Sequence, residues 1–181
     1  MRTIPSRWET ERFAIRDVAT EDEEKLYAIF NACTYAGAWD ESFQPEGPEG
    51  LRELIRKSVQ GEELFRMQTI RLRESDEAIG YFHLRHDFPK PKVVWLSFFI
   101  VSPTQQRSGV GSEVMNGIVA QIEELGDYRS IWLRVYLKNW PAMAAWIKCG
   151  FTTILEYRGD RIFTDNGYAS LILKRELNVP D

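Results

Sequence analysis

Val93-Val94-Trp95-Leu96-Ser97-Phe98-Phe99-Ile100-Val101-Ser102-Pro103-Thr104-Gln105-Gln106-Arg107-Ser108-Gly109-Val110-Gly111 decides how this chain folds. Its first nine residues are almost wholly apolar, as in a central strand buried on both faces. A polar loop follows, and two glycines open a helix. Val110, Val114, Ile118 and Ile122 then recur every four residues, flanked by Met115, Val119 and Leu125. Gly126 stands where a C-cap glycine belongs. A buried strand therefore delivers the chain to the N-terminus of its most periodic helix.

Working upstream, Ala78 to His86 and Leu64 to Arg73 alternate as a hairpin pair around the turn Glu74-Ser75-Asp76-Glu77. Leu51, Leu54, Ile55 and Val59 mark a helix, separated by a Gly/Pro-punctuated stretch, 37–50, from an earlier one carrying Leu26, Ile29, Phe30 and Cys33. Thr20-Glu21-Asp22-Glu23 has capping-box spacing, with Thr20 as the expected N-cap. The run Glu21 to Glu24 is a solvated first turn that complements the helix dipole. Arg12 to Arg16 is a first short strand. Downstream, Ile131 to Tyr136 reads as a strand, and Asn139-Trp140-Pro141 opens a short helix ending at Gly150. Phe151 to Tyr157 and Tyr168 to Lys174 close the pattern as antiparallel strands. The order βααβββαβαββ predicts an α/β fold: one mixed, mostly antiparallel central sheet with flanking helices. No repeat or linker divides it, so residues 1–181 are expected to form one domain.

Composition removes several functions. The 181 residues are 44% hydrophobic and 28% charged, the balance of a globular chain. Twenty-three basic against 27 acidic residues leave a net charge of −4, without the basic excess that nucleic-acid binding needs. No run approaches the ~20 apolar residues of a membrane span, and the start lacks a secretory h-region. Cys33 and Cys149 match neither a disulfide framework nor zinc spacing; they read as buried thiols in a cytoplasmic protein without metal. Six tryptophans and a 13% aromatic share exceed the needs of the core. That surplus suits an acceptor pocket or a homodimer interface.

The loop and helix start carry the chemistry. A helix N-terminus offers unpaired N–H groups and partial positive charge, and glycines admit a phosphate close to the backbone. Arg107 adds a cation there. A plain capping loop is the simpler reading of the same residues. A P-loop would need a lysine where Ser112 follows Gly111. A dinucleotide fingerprint, the mark of a nicotinamide-type oxidoreductase, would need glycine where Val114 stands and a shorter approach from Val101.

Gln106-Arg107-Ser108-Gly109-Val110-Gly111 resembles the Q/R-x-x-G-x-G/A acetyl-CoA motif of the GNAT superfamily of N-acyltransferases. Asn139-x-x-Ala142-x-x-Ala145-Trp146-x-Lys148-x-Gly150-Phe151 resembles that family's N-x-x-A-x-x-L-Y-x-K-x-G-F segment. Glu9-Thr10-Glu11-Arg12-Phe13 resembles the subgroup that acetylates ribosomal-protein N-termini. The resemblance implies acetyl-CoA as co-substrate and an amine as acceptor. It implies that the backbone of Phe99, Ile100 and Val101 pairs with the pantetheine arm. Gln106, Arg107, Ser108, Gly109, Val110, Gly111 and Ser112 would hold the pyrophosphate. Asn139 would bond near the thioester or simply cap its helix, and Lys148 would reach a phosphate or stay solvated.

The catalytic pattern is incomplete. Trp146 stands where the family usually has a tyrosine acid, and an indole N–H does not ionise usefully. Tyr136 is the displaced-acid candidate, with an ordinary strand aromatic as the alternative. Ser97 is the lone polar group on its strand, and Arg134 replaces another common acid, so no carboxylate base is evident. His83 is the candidate base, having an ordinary pKa near neutrality; a strand-face histidine is the alternative. Asp40, Glu41, Glu46 and Glu49 fall in the loop that lines the family's acceptor site, where exposed acids would suit a cationic amine. A non-catalytic acyl-CoA-binding sensor is the competing reading.

Overall fold

The computed structural model describes residues 2–43, 47–159 and 168–178. In chain order these form β1 (Arg7–Glu9), β2 (Phe13–Asp17), α1 (Glu23–Ala32), α2 (Pro48–Gln60), β3 (Phe65–Leu72), β4 (Ala78–His86) and β5 (Val93–Val101). There follow α3 (Val110–Leu125), β6 (Ser130–Tyr136), α4 (Trp140–Lys148), β7 (Thr153–Arg158) and β8 (Ser170–Glu176). The eight strands make one sheet, ordered β1-β2-β3-β4-β5-β6-β8-β7. Only β5 and β6 run parallel; every other described pairing is antiparallel.

The two sheet faces carry separate cores, as a period of two along each strand requires. Phe82, Leu84, Val94 and Leu133 pack with α3 through Val114, Ile118 and Ile122. Met67, Tyr81 and Ile100 pack with Leu26, Ile29 of α1 and Ile55 of α2. Helix α3 matches its sequence pattern closely, framed by Gly109 (φ 85°) and Gly126 (φ 71°).

Four expectations need correction. The strand order gains β1, three residues too short for any alternation signal. It is held by tertiary contact: the Trp8 indole donates to Gln68 Oε1 at 2.9 Å, and its ring lies 2.4 Å from where a Cβ on Gly117 would stand. Gly117→Val should therefore displace Trp8 and lower stability by about 1–3 kcal/mol. Urea midpoints and a red shift in tryptophan emission would show it; an unchanged midpoint would mean that β1 is not held this way. Second, Thr20 is not the N-cap of α1. Thr20–Asp22 form a 3-10 turn, Asp22 accepts from the Ala19 N–H at 3.0 Å, and its carboxylate also meets Arg71 at 3.2 Å. That double tie moves the helix start to Glu23. Third, β7 and β8 begin at Thr153 and Ser170, because Phe151 is buried in the core and Tyr168 donates its hydroxyl to Gly37 O at 2.9 Å.

The fourth correction matters most. β5 is not buried on both faces along its length. Leu84 pairs with Leu96 and His83 with Phe98, so Ser97 is an extra, bulged residue. A bulge bends its strand and increases the local twist. Pairing between β5 and β6 runs from Val93↔Ser130 to Leu96↔Leu133 and stops there. Past Ser97, β5 keeps β4 on one side and opens a wedge on the other. Among the described residues no helix is long and apolar enough to cross a membrane.

Candidate active site

The wedge leads into a cavity of about 480 Å³. From β5 come Phe99, Ile100 and Val101; from the following loop and the head of α3 come Gln106, Arg107, Gly109, Val110, Gly111 and Ser112; from the N-cap of α4 comes Asn139. The structure thus brings together ten of the twelve residues that the sequence resemblance assigns to the cofactor. Ser108 and Lys148 stay outside the lining. Ser108 turns away, its hydroxyl donating to Gln105 O at 2.7 Å, while its carbonyl accepts from Arg12 Nη1 at 3.0 Å. Lys148 is exposed on the last turn of α4.

One end of the cavity is formed by the head of α3 and has free amides facing a concave turn. The helical ladder of α3 begins with Glu113 N–H donating to Gly109 O at 3.1 Å. The amides of Val110, Gly111 and Ser112 precede it and lack helical acceptors. Gly109 and Arg107 both have positive φ, 85° and 61°. For Arg107, with its Cβ, that conformation costs on the order of 1–3 kcal/mol and curls the backbone into a concave turn. A Cβ on Gly111 would meet only Phe99 Cε1, at 3.9 Å. Sequence reasoning missed the brace under this loop. Arg12 Nε donates to Glu113 Oε2 at 2.6 Å, its backbone N–H donates to Glu113 Oε1 at 2.9 Å, and Thr10 donates to the same oxygen at 2.7 Å. These partners lie about a hundred residues apart, so no local pattern announces them. The Gln106 side chain spans the loop, donating to Val101 O at 2.9 Å and accepting from the Tyr35 hydroxyl at 3.0 Å.

At the lip beyond β6, the acids of the α1–α2 segment act as clips. Asp40 is buried, at 8% exposure, contrary to its expected place on an open loop. It accepts from Asn139 Nδ2 at 2.9 Å. Asn139 Oδ1 accepts from Ala142 N–H at 3.3 Å, so this residue caps α4 and ties the loop to it at once. Glu41 accepts from the Tyr136 hydroxyl at 3.0 Å, and that hydroxyl accepts from Arg134 Nη1 at 3.2 Å. Burial raises the Tyr136 pKa above the usual 10, with Arg134 opposing and Glu41 adding to it. Glu49 is exposed in the first turn of α2; Glu46 lies outside the described residues.

Trp146 faces the core, packing edge-on against Phe99 at 5.5 Å and Phe151 at 6.1 Å between ring centroids. It stiffens the wall behind Phe99.

His83 sits on the opposite sheet face. Its ring stacks on Phe98 at 5.2 Å and Tyr81 at 6.1 Å. Burial pushes its pKa down to about 3, far below the neutral value that the sequence suggested. Its Nε2 has no hydrogen-bond partner among the described residues. Leaving such an atom unpaired typically costs about 1–3 kcal/mol. His83 lines a second cavity, of about 360 Å³, between the sheet and helices α1 and α2. Phe43 lines the first cavity, Phe98 lines the second, and their ring centroids lie 5.2 Å apart, so this pair stands between the two.

The family model of the acetyltransferase (GNAT) family matches residues 23–151. A search of curated proteins finds no match. Among solved structures, a ribosomal-protein alpha-N-acetyltransferase, RimL, in complex with coenzyme A superimposes with a TM-score of 0.79 at 13% identity, covering 99% of this chain and 100% of that one. A spermidine N-acetyltransferase from Vibrio cholerae, in complex with coenzyme A and spermine, gives 0.74 at 17% identity, covering 91% and 95%. An acetyltransferase of the GNAT family from Streptococcus pneumoniae gives 0.70 at 16%, covering 92% and 99%. At these identities the likeness is one of fold.

Proposed function

The chain belongs to the acetyltransferase (GNAT) family, and from that premise we propose that it moves an acetyl group from acetyl-CoA to a primary amine by direct attack in a ternary complex. The acceptor is a small molecule or a peptide N-terminus. The observation that carries this reading is the wedge past Ser97, where the exposed edge of β5 runs toward the amide cradle of α3. An extended pantetheine arm can pair with that edge as an added strand does. The diphosphate would rest on the amides of Val110, Gly111 and Ser112, with Arg107 beside them. Neither step calls for a metal.

The chemistry requires a neutral amine, whose proton, with a pKa near ~10 for a lysine-like group, leaves to water or a base. Backbone N–H groups along the wedge can stabilise the tetrahedral oxyanion. The leaving thiolate, with a pKa around ~8.5, needs at most a weak acid. Tyr136 holds its proton throughout the neutral range, since its pKa is raised. Tyr136 lies outside the cavity lining and donates its hydroxyl hydrogen to Glu41; to serve as the acid it would have to leave Glu41 and turn to the thiolate, with Arg134 steadying the phenolate. Tyr136→Phe should lower kcat about 100-fold and leave the KM for acetyl-CoA within about twofold. A kcat within threefold of the parent would remove Tyr136 from the reaction.

One observation favours a second reading. The Trp146 ring fills core space where the family's acid would stand, and a protein so altered could bind acyl-CoA as a sensor without turnover. Mass spectrometry over a panel of amines decides: more than one acetyl group transferred per protein molecule excludes the sensor. We also place the protein in the cytoplasm, a reducing compartment, where buried Cys33 and Cys149 remain thiols.

A further inference from the structure

The cavity on the α1–α2 face differs in character from the wedge. Phe30, Leu51, Leu54 and Phe98 line it, and all four are only partly buried although they pack against the core of that face. Their remaining apolar surface turns toward the cavity. Tyr27 and Tyr81 add two more rings. No aspartate or glutamate lines it among the described residues. Of the described acids near it, Asp40 is engaged by Asn139 and Glu41 by Tyr136, while Glu49 stays outside the lining, at the rim, with its carboxylate beside Gly47. His83 supplies one buried nitrogen without a partner. The volume, about 360 Å³, falls at the small end of the ~300–1,000 Å³ typical of small-molecule sites.

We propose that this cavity selects the acceptor, and that it takes a compact aromatic amine, an aryl ring on a short chain ending in a primary amine, rather than a polycation. The inference rests on the acetyltransferase reading and names the substrate class of the same site. The ring would lie among Phe30, Leu51, Leu54 and Phe98, where apolar burial supplies the affinity. The His83 ring, stacked on Phe98, would close the inner wall of the site. The amine end would point past the pair of Phe43 and Phe98 toward the wedge. A polyamine could set one ammonium beside Glu49 at the rim, but any further ammonium inside would stand unpaired against leucine and phenylalanine, which a low-dielectric pocket penalises heavily.

The test compares 2-phenylethylamine with spermidine and with a phenylalanine-led peptide, using the full chain and acetyl-CoA. Expected is a kcat/KM for 2-phenylethylamine at least about 100-fold above that for spermidine. Leu54→Asp, on the half-buried face of α2, should lower the 2-phenylethylamine value at least about tenfold and raise the spermidine value. Leu54→Met should keep the parent preference. Saturation-transfer NMR should detect 2-phenylethylamine on the protein without any turnover. Calorimetry with coenzyme A runs in parallel on each variant. Spermidine turned over as well as or better than 2-phenylethylamine would overturn this inference and leave the acetyltransferase reading intact. Absence of the NMR signal would overturn it as well. A preference for the peptide would assign the aromatic site to a chain terminus and would overturn the free-amine assignment. Loss of coenzyme A binding in the parent protein would instead overturn the acetyltransferase reading.

Discussion

Gly111→Glu should weaken coenzyme A binding by at least about 100-fold, roughly 2.7 kcal/mol, while the protein folds normally. Gly111 occupies the second position of α3, where any residue fits the helical backbone. The nearest atom to a Cβ there is Phe99 Cε1 at 3.9 Å, an ordinary contact, so the fold tolerates a side chain. What lies beyond is the cavity. A glutamate side chain would fill it, place a negative charge beside the site of a diphosphate, and take the amides of the first turn for itself. Gly111→Ala, with a methyl group only, should lose less than tenfold. Calorimetry with coenzyme A and thermal melts of the free proteins separate binding from folding. A glutamate variant that binds like the parent would mean that the diphosphate rests elsewhere.

Stability should fall by about 4 kcal/mol between pH 7.5 and pH 5, a large share of the ~5–15 kcal/mol that holds a domain together. Two buried histidines cause this. Burial lowers His83 to about 3. Burial also lowers His86 to about 4, with Leu64 O opposing, Arg66 adding to it and Asp87 opposing. His86 has no room for a second proton: Nδ1 bonds Leu64 O at 3.0 Å, and Nε2 accepts the Ile4 N–H at 3.1 Å. Unfolded, both rings titrate near 6.5. Above that pH neither state holds the proton and the native state has its full stability. Below it, the unfolded chain takes up protons first, and stability declines until the folded pKa is reached. At pH 5 each ring accounts for about 2 kcal/mol. Urea denaturation at a series of pH values reads this directly, and His83→Leu should halve the slope between pH 6.5 and 5. A flat profile across that interval would show that these rings are not buried neutral.

The parts of the fold visible in the sequence are those with local causes. Gly109 and Gly126 bracket α3 because both stand at positive φ, and the four-residue apolar spacing between them follows from one buried face. β4 and β5 keep their expected ends because apolar runs there are bounded by turn residues. The bulge at Ser97 was not legible. One serine in an apolar strand looks like tolerated polarity, and its meaning depends on the register with β4 and β6. The Arg12–Glu113 brace was hidden for a related reason: its members meet only when the turn between β1 and β2 lies against α3. Asp40 and Glu41 looked like open loop acids because nothing in their own segment announces Asn139 or Tyr136. Most residues that line the first cavity could be named early because one short segment carries them. The second cavity is assembled from α1, α2, β4 and β5, so its lining emerged only with the fold.

The most direct test is amide NMR of the labelled protein titrated with coenzyme A. The largest shifts should fall on the amides of Arg107 to Ser112, with a second group on Phe99 to Val101. Shifts confined to other surfaces, with the head of α3 unmoved at saturation, would contradict the account.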